Sequence, residues 1–326
     1  MRELRSAWAE LELVGAAPNP FLSWDWQWSW WEVFGADYRP RHLVVREGGS
    51  VIGVVPLCEA KESPGVLVFA GGPNLTDRLG FLALPGREAE VARATLGWAV
   101  EEGAGDVNLD LHFLPEGSAT LEALLGQAKE FQLQAIPEPE EVCPGLDLAT
   151  DFEGYLTNSL NKKDRHELRR KLRRLEQERP GWRMVPAGEV GLAAAVETFL
   201  RLLAASGAHK QAFLTESITR FFQLVAQRLD QRGWLRLQIL QSGEDDLAGI
   251  FAFRVGQTWY LYNSGYDPAF ASLSPGLLCV AEGIRGAIAE GCTRADLLRG
   301  DEGYKYHLGA VDERLIHLRI TSGQSS

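Results

Sequence analysis

The strongest constraint on what this chain can fold into is an order of elements that occurs twice. In the second half, apolar patterning predicts a strand over 182–186 and helices over 189–205 and 216–231. Three consecutive strands follow at 235–241, 247–255 and 258–263, separated by turns that carry glycine. A helix over 274–290 stops at Gly291, and a strand spans 294–298. A short helical or irregular piece covers 302–308, and a last strand runs 314–320. The first half has nearly the same order. Its opening PFLSWDWQWSWWEVF reads as a packing helix capped by Ser23, with Trp24, Trp28 and Trp31 on one face and Trp26 and Trp30 on another. A hairpin turns at Glu47-Gly48-Gly49-Ser50, and an extended region runs 66–84. Helix, strand, helix and an extended segment then follow over 88–102, 107–113, 119–131 and from 133. No residues match between the halves, so the repeat is one of topology.

The Pro- and Glu-rich stretch 136–145 punctuates the chain near its midpoint and predicts two domains, 1–145 and 146–326. A length of 326 residues suits two ordinary domains, and 45% hydrophobic against 24% charged residues suits buried cores. The net charge of −11 speaks against a general nucleic-acid or membrane-surface partner, so any polyanion has to be met locally. No secretory signal is expected at the N-terminus, and no apolar run approaches the ~20 residues of a spanning helix, so membrane insertion is not expected. Cys58, Cys143, Cys279 and Cys292 stand far apart with no CxxC pair, the pattern of reduced, buried thiols in a cytoplasmic protein. The six histidines never take metal-ligand spacing, and no metal site is expected.

Against this acidic background, 161–176 reads NKKDRHELRRKLRRLE, with eight Lys or Arg against three acids, a net charge of +5. Leu168, Leu172 and Leu175 make an apolar stripe that can dock such a helix, and the cationic remainder, Arg169 and Arg173 included, faces solvent or a ligand rich in phosphate. A charge run is also what an ordinary solvated face looks like.

Three short motifs lie in fixed order: Tyr262-Asn-Ser-Gly-Tyr-Asp267, Ser274-Pro-Gly-Leu-Leu278, and Asp296-Leu-Leu-Arg-Gly-Asp301 followed by Tyr304-Lys-Tyr306. With the element order, the basic stretch and Val54-Val-Pro-Leu57, they cover nearly the whole chain. Together they resemble the Gcn5-related N-acetyltransferase (GNAT) fold, and more specifically the CelD-like acetyltransferases associated with bacterial cellulose biosynthesis. These are related to Fem-type aminoacyl transferases, which carry two GNAT-like domains in tandem. The resemblance implies an α/β fold in α+β layers: two tandem GNAT-like domains, each a mixed, mostly antiparallel sheet flanked by helices. It also implies an acyltransferase in polysaccharide biosynthesis that takes an acetyl or other acyl group from acyl-CoA to an amine or hydroxyl by direct attack in a ternary complex. A Fem-like aminoacyl-tRNA donor and a non-catalytic binding or scaffold protein stay open as alternatives. The implied partners are a small-molecule donor and an acceptor, with aminoacyl-tRNA the one nucleic acid admitted; the chain is expected to be a monomer or weak dimer.

The usual Gln/Arg-x-x-Gly-x-Gly/Ala loop of acetyl-CoA enzymes is replaced here by Ser272-Leu-Ser-Pro-Gly-Leu277, which leaves the donor open. Ser274 suits the cap and Pro275 the first helical position, so that the amides of Gly276 and Leu277 point at the positive end of the helix dipole, where a phosphate is well placed. An ordinary capped helix satisfies the same residues; the position after three strands in a GNAT order favours the phosphate. By the same resemblance Tyr266, with Asp267, stands nearest the thioester to protonate its leaving thiolate. Asp301, with Glu302 competing, could deprotonate an amine, while Lys305 and Arg299 could meet a phosphate or carboxylate. A surface charge network is the plainer account of that last run.

Overall fold

The computed structural model describes residues 4–14, 19–103 and 106–323. Contacts divide the chain into two compact units, Met1–Val142 with Glu313–Ser326, and Cys143–Asp312. In the first, α1 (Arg5–Val14) and α2 (Trp24–Phe34) precede β1 (Tyr38–Pro40), β2 (Leu43–Glu47), β3 (Ser50–Val55), β4 (Leu57–Ala60), β5 (Leu67–Phe69) and β6 (Leu82–Ala83). Then come α3 (Glu88–Glu102), β7 (Asn108–Pro115), α4 (Ala119–Glu130) and β8 (Leu133–Asp147). The β2–β3 hairpin turns on Gly48 and Gly49, whose φ of 55° and 89° glycine adopts without strain. Ser23 caps α2 by accepting from the Trp26 amide, and Trp24, Trp26 and Trp30 are buried. The Trp26 indole donates to Thr76 Oγ1 at 3.0 Å, and Trp24 stacks on Trp28 at 5.6 Å. The tryptophan helix is thus a packing element.

The Pro- and Glu-rich stretch, read as punctuation, is instead the body of β8. Pro137 and Pro139 are two apart, so in a strand both missing N–H groups fall on the same side, and the other side keeps its donors. The boundary between the units falls inside this strand, with no linker.

The second unit begins in the last residues of β8 and runs through α5 (Phe152–Asn158), α6 (Lys162–Glu178), β9 (Arg183–Pro186), α7 (Ala187–Val190), α8 (Leu192–Ala205), α9 (Ala208–Phe213) and α10 (Glu216–Gln231). It continues with β10 (Gln238–Ser242), β11 (Asp245–Val255), β12 (Thr258–Tyr266), α11 (Pro275–Ala289), β13 (Arg294–Asp296) and α12 (Gly303–His307). The helix expected over 189–205 is broken at Gly191, whose φ of 90° ends α7. β14 (Val311–Ser322) starts here, but from Glu313 it belongs to the first unit, where it pairs antiparallel with β7. A second domain of 146–326, as the sequence predicts, would include this strand; the contacts put it with the first unit.

Each unit is a mixed sheet with helices packed on it. The first unit's strands run β1–β4–β5–β7–β14–β8, with β5 parallel to β7, and β2–β3–β6 form a separate small sheet. The second unit's run β8–β13–β12–β11–β10–β9, with β12 parallel to β13 and the other pairs antiparallel. Gly249 of β11 meets Phe199 and Leu202 of α8, whereas its neighbour Ile250 meets Gly283 of α11. Successive strand residues face opposite ways, so the two helices cover opposite faces. Among the described residues, no helix is long and apolar enough to cross a membrane.

Candidate functional site

The site in the second unit follows from a short strand beside a long one. β13 pairs with β12 only from Thr258–Arg294 to Tyr260–Asp296, while β12 continues to Tyr266. A bulge against β11 leaves Tyr262 without a Cα partner, at the start of the segment that β13 no longer covers. Open strand edges cost unpaired backbone groups, and this one is met by side chains. Lys210 of α9 donates to the Ser264 carbonyl at 2.7 Å, and half-buried Tyr304 of α12 hydrogen-bonds the Ser264 side chain beside it. Burial holds the Lys210 ammonium below its usual pKa and pushes the Tyr304 phenol well above its own.

Beyond the end of β12, Asp267 caps a short turn by accepting from the Ala269 amide at 2.9 Å, and the chain enters α11 at Pro275. The Leu278 amide closes the first helical bond on the Ser274 carbonyl. The amides of Gly276 and Leu277 therefore come before any helical acceptor, and Pro275 has none to offer. Gly276 lies against the Tyr266 ring, where a Cβ would come within 3.2 Å of Cδ1. Ser274 stands at the cap position but in the left-handed region, φ 56°, and its side chain caps nothing. Its hydroxyl instead accepts from Lys171 Nζ of the basic helix at 2.5 Å.

That contact is one of three by which α6 holds the loop ahead of α11. Arg174 donates to the Ser272 carbonyl at 3.0 Å, and Arg179, the residue that caps the helix's C-terminal end, lies over the Phe270 ring at 4.8 Å. The leucine stripe docks as its spacing predicts: Leu168 and Leu175 are buried with Leu273 and Leu278, and Leu172 packs beside them. Asn161 caps the helix through the Asp164 amide. Between the first turns of α6, the start of α11 and the end of α12 lies an open groove of about 750 Å³, within the usual span for a small-molecule site. Lys162, Lys163, His166 and Lys171 line it from α6, Leu277 from α11 and His307 from α12. Its two carboxylates are engaged. Asp164 is 3.0 Å from His307, and hydrogen bonds from Arg170 hold the Glu167 carboxyl down at about 2. Lysines on one wall, with Leu277 at the N-terminal turn of α11 on another, make the groove suited to an anionic group.

The structure brings Tyr266, Ser274, Pro275, Gly276 and Leu277 together and sets the remaining expected residues elsewhere. Lys305, expected to meet a phosphate, is buried: its ammonium donates to the carbonyls of Leu298, Arg299 and Gly300 at 2.9, 2.8 and 3.0 Å and pairs with Glu302. It pins a loop in which Leu298 has φ 56° and its amide donates to the buried carboxylate of Asp296. Asp301 is exposed and Arg299 half-buried on that loop, outside the groove lining. Arg169 pairs with Glu153 of α5, and Arg173 is exposed; neither lines the groove. The cations that do, Lys162, Lys163 and Lys171, were not singled out in the sequence, nor was Lys210. Helical spacing puts Lys163, Glu167, Lys171 and Arg174 on one flank of the leucine stripe and Arg169 and Arg173 on the other. Both flanks look alike without knowing where the 267–274 loop passes.

Residues 162–306 match the model of the acetyltransferase (GNAT) domain family. No curated protein matches the chain. Among solved structures, FemX is similar over 97% of this chain and 95% of its own, at 13% identity and a TM-score of 0.69. L-PGS from Bacillus licheniformis is similar over 97% and 92%, at 13% identity and a TM-score of 0.58. A tandem GNAT protein from the clavulanic acid biosynthesis pathway covers 100% and 97%, at 15% identity and 0.51. Identities this low establish a common tandem GNAT-like fold.

Proposed function

We propose that the protein is an acyltransferase that seats the anionic part of its acyl donor in the groove between α6 and the start of α11, and hands the acyl group directly to an amine or hydroxyl. One juxtaposition carries the reading: outward amides, the Lys171 ammonium and the Tyr266 ring gather where β12 has run past β13. Acyl-CoA is the donor this favours; when bound it supplies a thioester carbonyl and a thiolate leaving group. Tyr266 is the proposed proton donor to that sulfur, and Asp267, by fixing the turn after it, is a positioning residue. Asp301, with Glu302 beside it, is the proposed acceptor of the nucleophile's proton. Lys305 and Arg299 serve by holding and forming the loop they share. No Gly-x-Ser-x-Gly elbow occurs in the sequence, in keeping with direct transfer.

A second reading has one observation behind it. Positive charge continues onto the far flank of α6, through Arg165, Arg169 and Arg173, beyond what a groove-bound CoA would touch. A longer polyanion, an aminoacyl-tRNA, would use both flanks. Four free, buried cysteines suit a reducing cytoplasm, and the cellulose-associated resemblance suggests a sugar-polymer pathway for the acceptor. Calorimetric titration with coenzyme A, then with bulk tRNA over a salt series, separates the readings. Saturable binding of coenzyme A, weakened about 10-fold in Lys171→Met, is the expected result. Binding of tRNA alone, falling steeply with salt, moves the assignment to the second donor. Binding of neither removes both.

A further inference from the structure

In the first unit, four titratable side chains from three neighbouring strands meet on one sheet face. Asp110 and His112 are two apart on β7 and so point the same way. His317 comes from β14, opposite a bulge of β7: Ile316 and Leu318 pair with Leu114 and Leu111, so His317 alone faces two residues, His112 and Phe113. Such bulges re-aim a side chain. Glu140 comes from β8. The imidazoles stack with centroids 4.1 Å apart and planes 10° apart. His317 Nε2 lies 2.5 Å from Asp110 Oδ1, and His112 Nε2 lies 3.4 Å from Asp110 Oδ2.

Glu140 decides what the cluster is for. One of its oxygens is 2.5 Å from His112 Nδ1, and the other accepts the Phe113 amide at 3.1 Å. A carboxylate on Nδ1 fixes the tautomer with the proton there, so the lone pair of Nε2 faces Asp110. With a carboxylate facing each of its nitrogens, the His112 ring holds either a second proton or a metal ion at Nε2. Two carboxylates around two neutral imidazoles balance a charge of +2, and nitrogen with oxygen donors suits a borderline ion better than calcium or magnesium. One ligand atom from each of Asp110, His112 and His317 lies within 4.8 Å of the others, so modest side-chain rotation brings all three to about 2.0–2.2 Å of one ion.

We propose that Asp110, His112 and His317 bind a divalent transition metal, zinc by preference, with Glu140 orienting His112 from behind. The ion clasps the end of the chain to β7. The four cysteines are buried, so they do not compete for it. The test uses the full-length chain, stripped with a chelator and titrated with cobalt and with zinc. One equivalent of cobalt is expected to give visible ligand-field bands without a thiolate charge-transfer band, and zinc is expected to displace it. His317→Ala should abolish the bands, and Glu140→Gln should weaken binding about 10- to 100-fold, as the loss of an orienting partner does. In case those variants misfold, the native protein also decides: zinc should shield His112 and His317, and no other histidine, from diethyl pyrocarbonate. Absence of stoichiometric uptake, or uptake that leaves these two rings unshielded, overturns the proposal.

Discussion

His42 shows what one side chain can commit the first unit to. Its ring meets the edge of Trp31 at 4.9 Å, and both ring nitrogens are shielded from solvent with no hydrogen-bond partner. Burial drops its pKa from 6.5 to about 4, because the charged form has lost its water. The folded state therefore binds fewer protons than the unfolded state between those two values. Stability is full above 6.5 and is lost as pH falls toward 4. Between pH 7 and pH 5 the cost is roughly 2 kcal/mol from this ring alone. His42→Leu, which keeps the apolar contact and removes the titration, should lose that much less stability over the same interval in urea unfolding. Equal losses in the two proteins would mean that the ring is solvated.

At the scale of elements, closeness of approach fixes the site. Gly265, near the free end of β12, sits under the α8 backbone, where a Cβ would come within 2.4 Å of the Leu203 nitrogen. Backbone cannot swing aside as a side chain does, so Gly265→Ala should cost about 1–3 kcal/mol or more and displace the strand end that carries Tyr266. Gly286, within α11, has nothing within 4 Å of its would-be Cβ. Gly286→Ala should instead stabilise by about 0.5–1 kcal/mol through helix propensity. Denaturant unfolding of the two variants, expected to shift in opposite directions, checks both. Neither glycine stands out in the sequence, because what distinguishes them is another element's backbone. The elements themselves were legible: α3, α10 and α11 carry apolar helical spacing, Thr215 caps α10, and the leucine stripe names the docked face of α6. What stayed hidden depends on long-range placement. Lys305 reads as a charged loop residue until its three carbonyl acceptors fold back on it, and His112 and His317 stand 205 positions apart until β14 returns beside β7.

At the scale of the whole molecule, the first unit is built from both ends of the chain. Leu315, Leu318 and Ile320 of β14 are buried, and Ile316, Leu318 and Ile320 pair with Leu114, Leu111 and Leu109. Arg78 holds Glu313 at 2.6 Å. Each of those three buried side chains contributes about 1.5–3 kcal/mol, so together they approach the 5–15 kcal/mol net stability of a typical domain. The second unit, 143–312, contains none of them. A chain ending at Asp312 should therefore leave β7 with an open edge and the first unit unfolded or loosened, while the second unit keeps its sheet. Hydrogen exchange followed by mass spectrometry should show protection lost across β7 and retained across β10, β11 and β12. Seven of the ten tryptophans lie in 1–142, so their emission should shift to the red in the same variant. During synthesis the same arrangement makes the first unit wait for the last strand, so refolding of the intact chain should recover β10–β12 protection before β7 protection. Protection of β7 unchanged by the truncation would mean that the first unit closes without the chain's end.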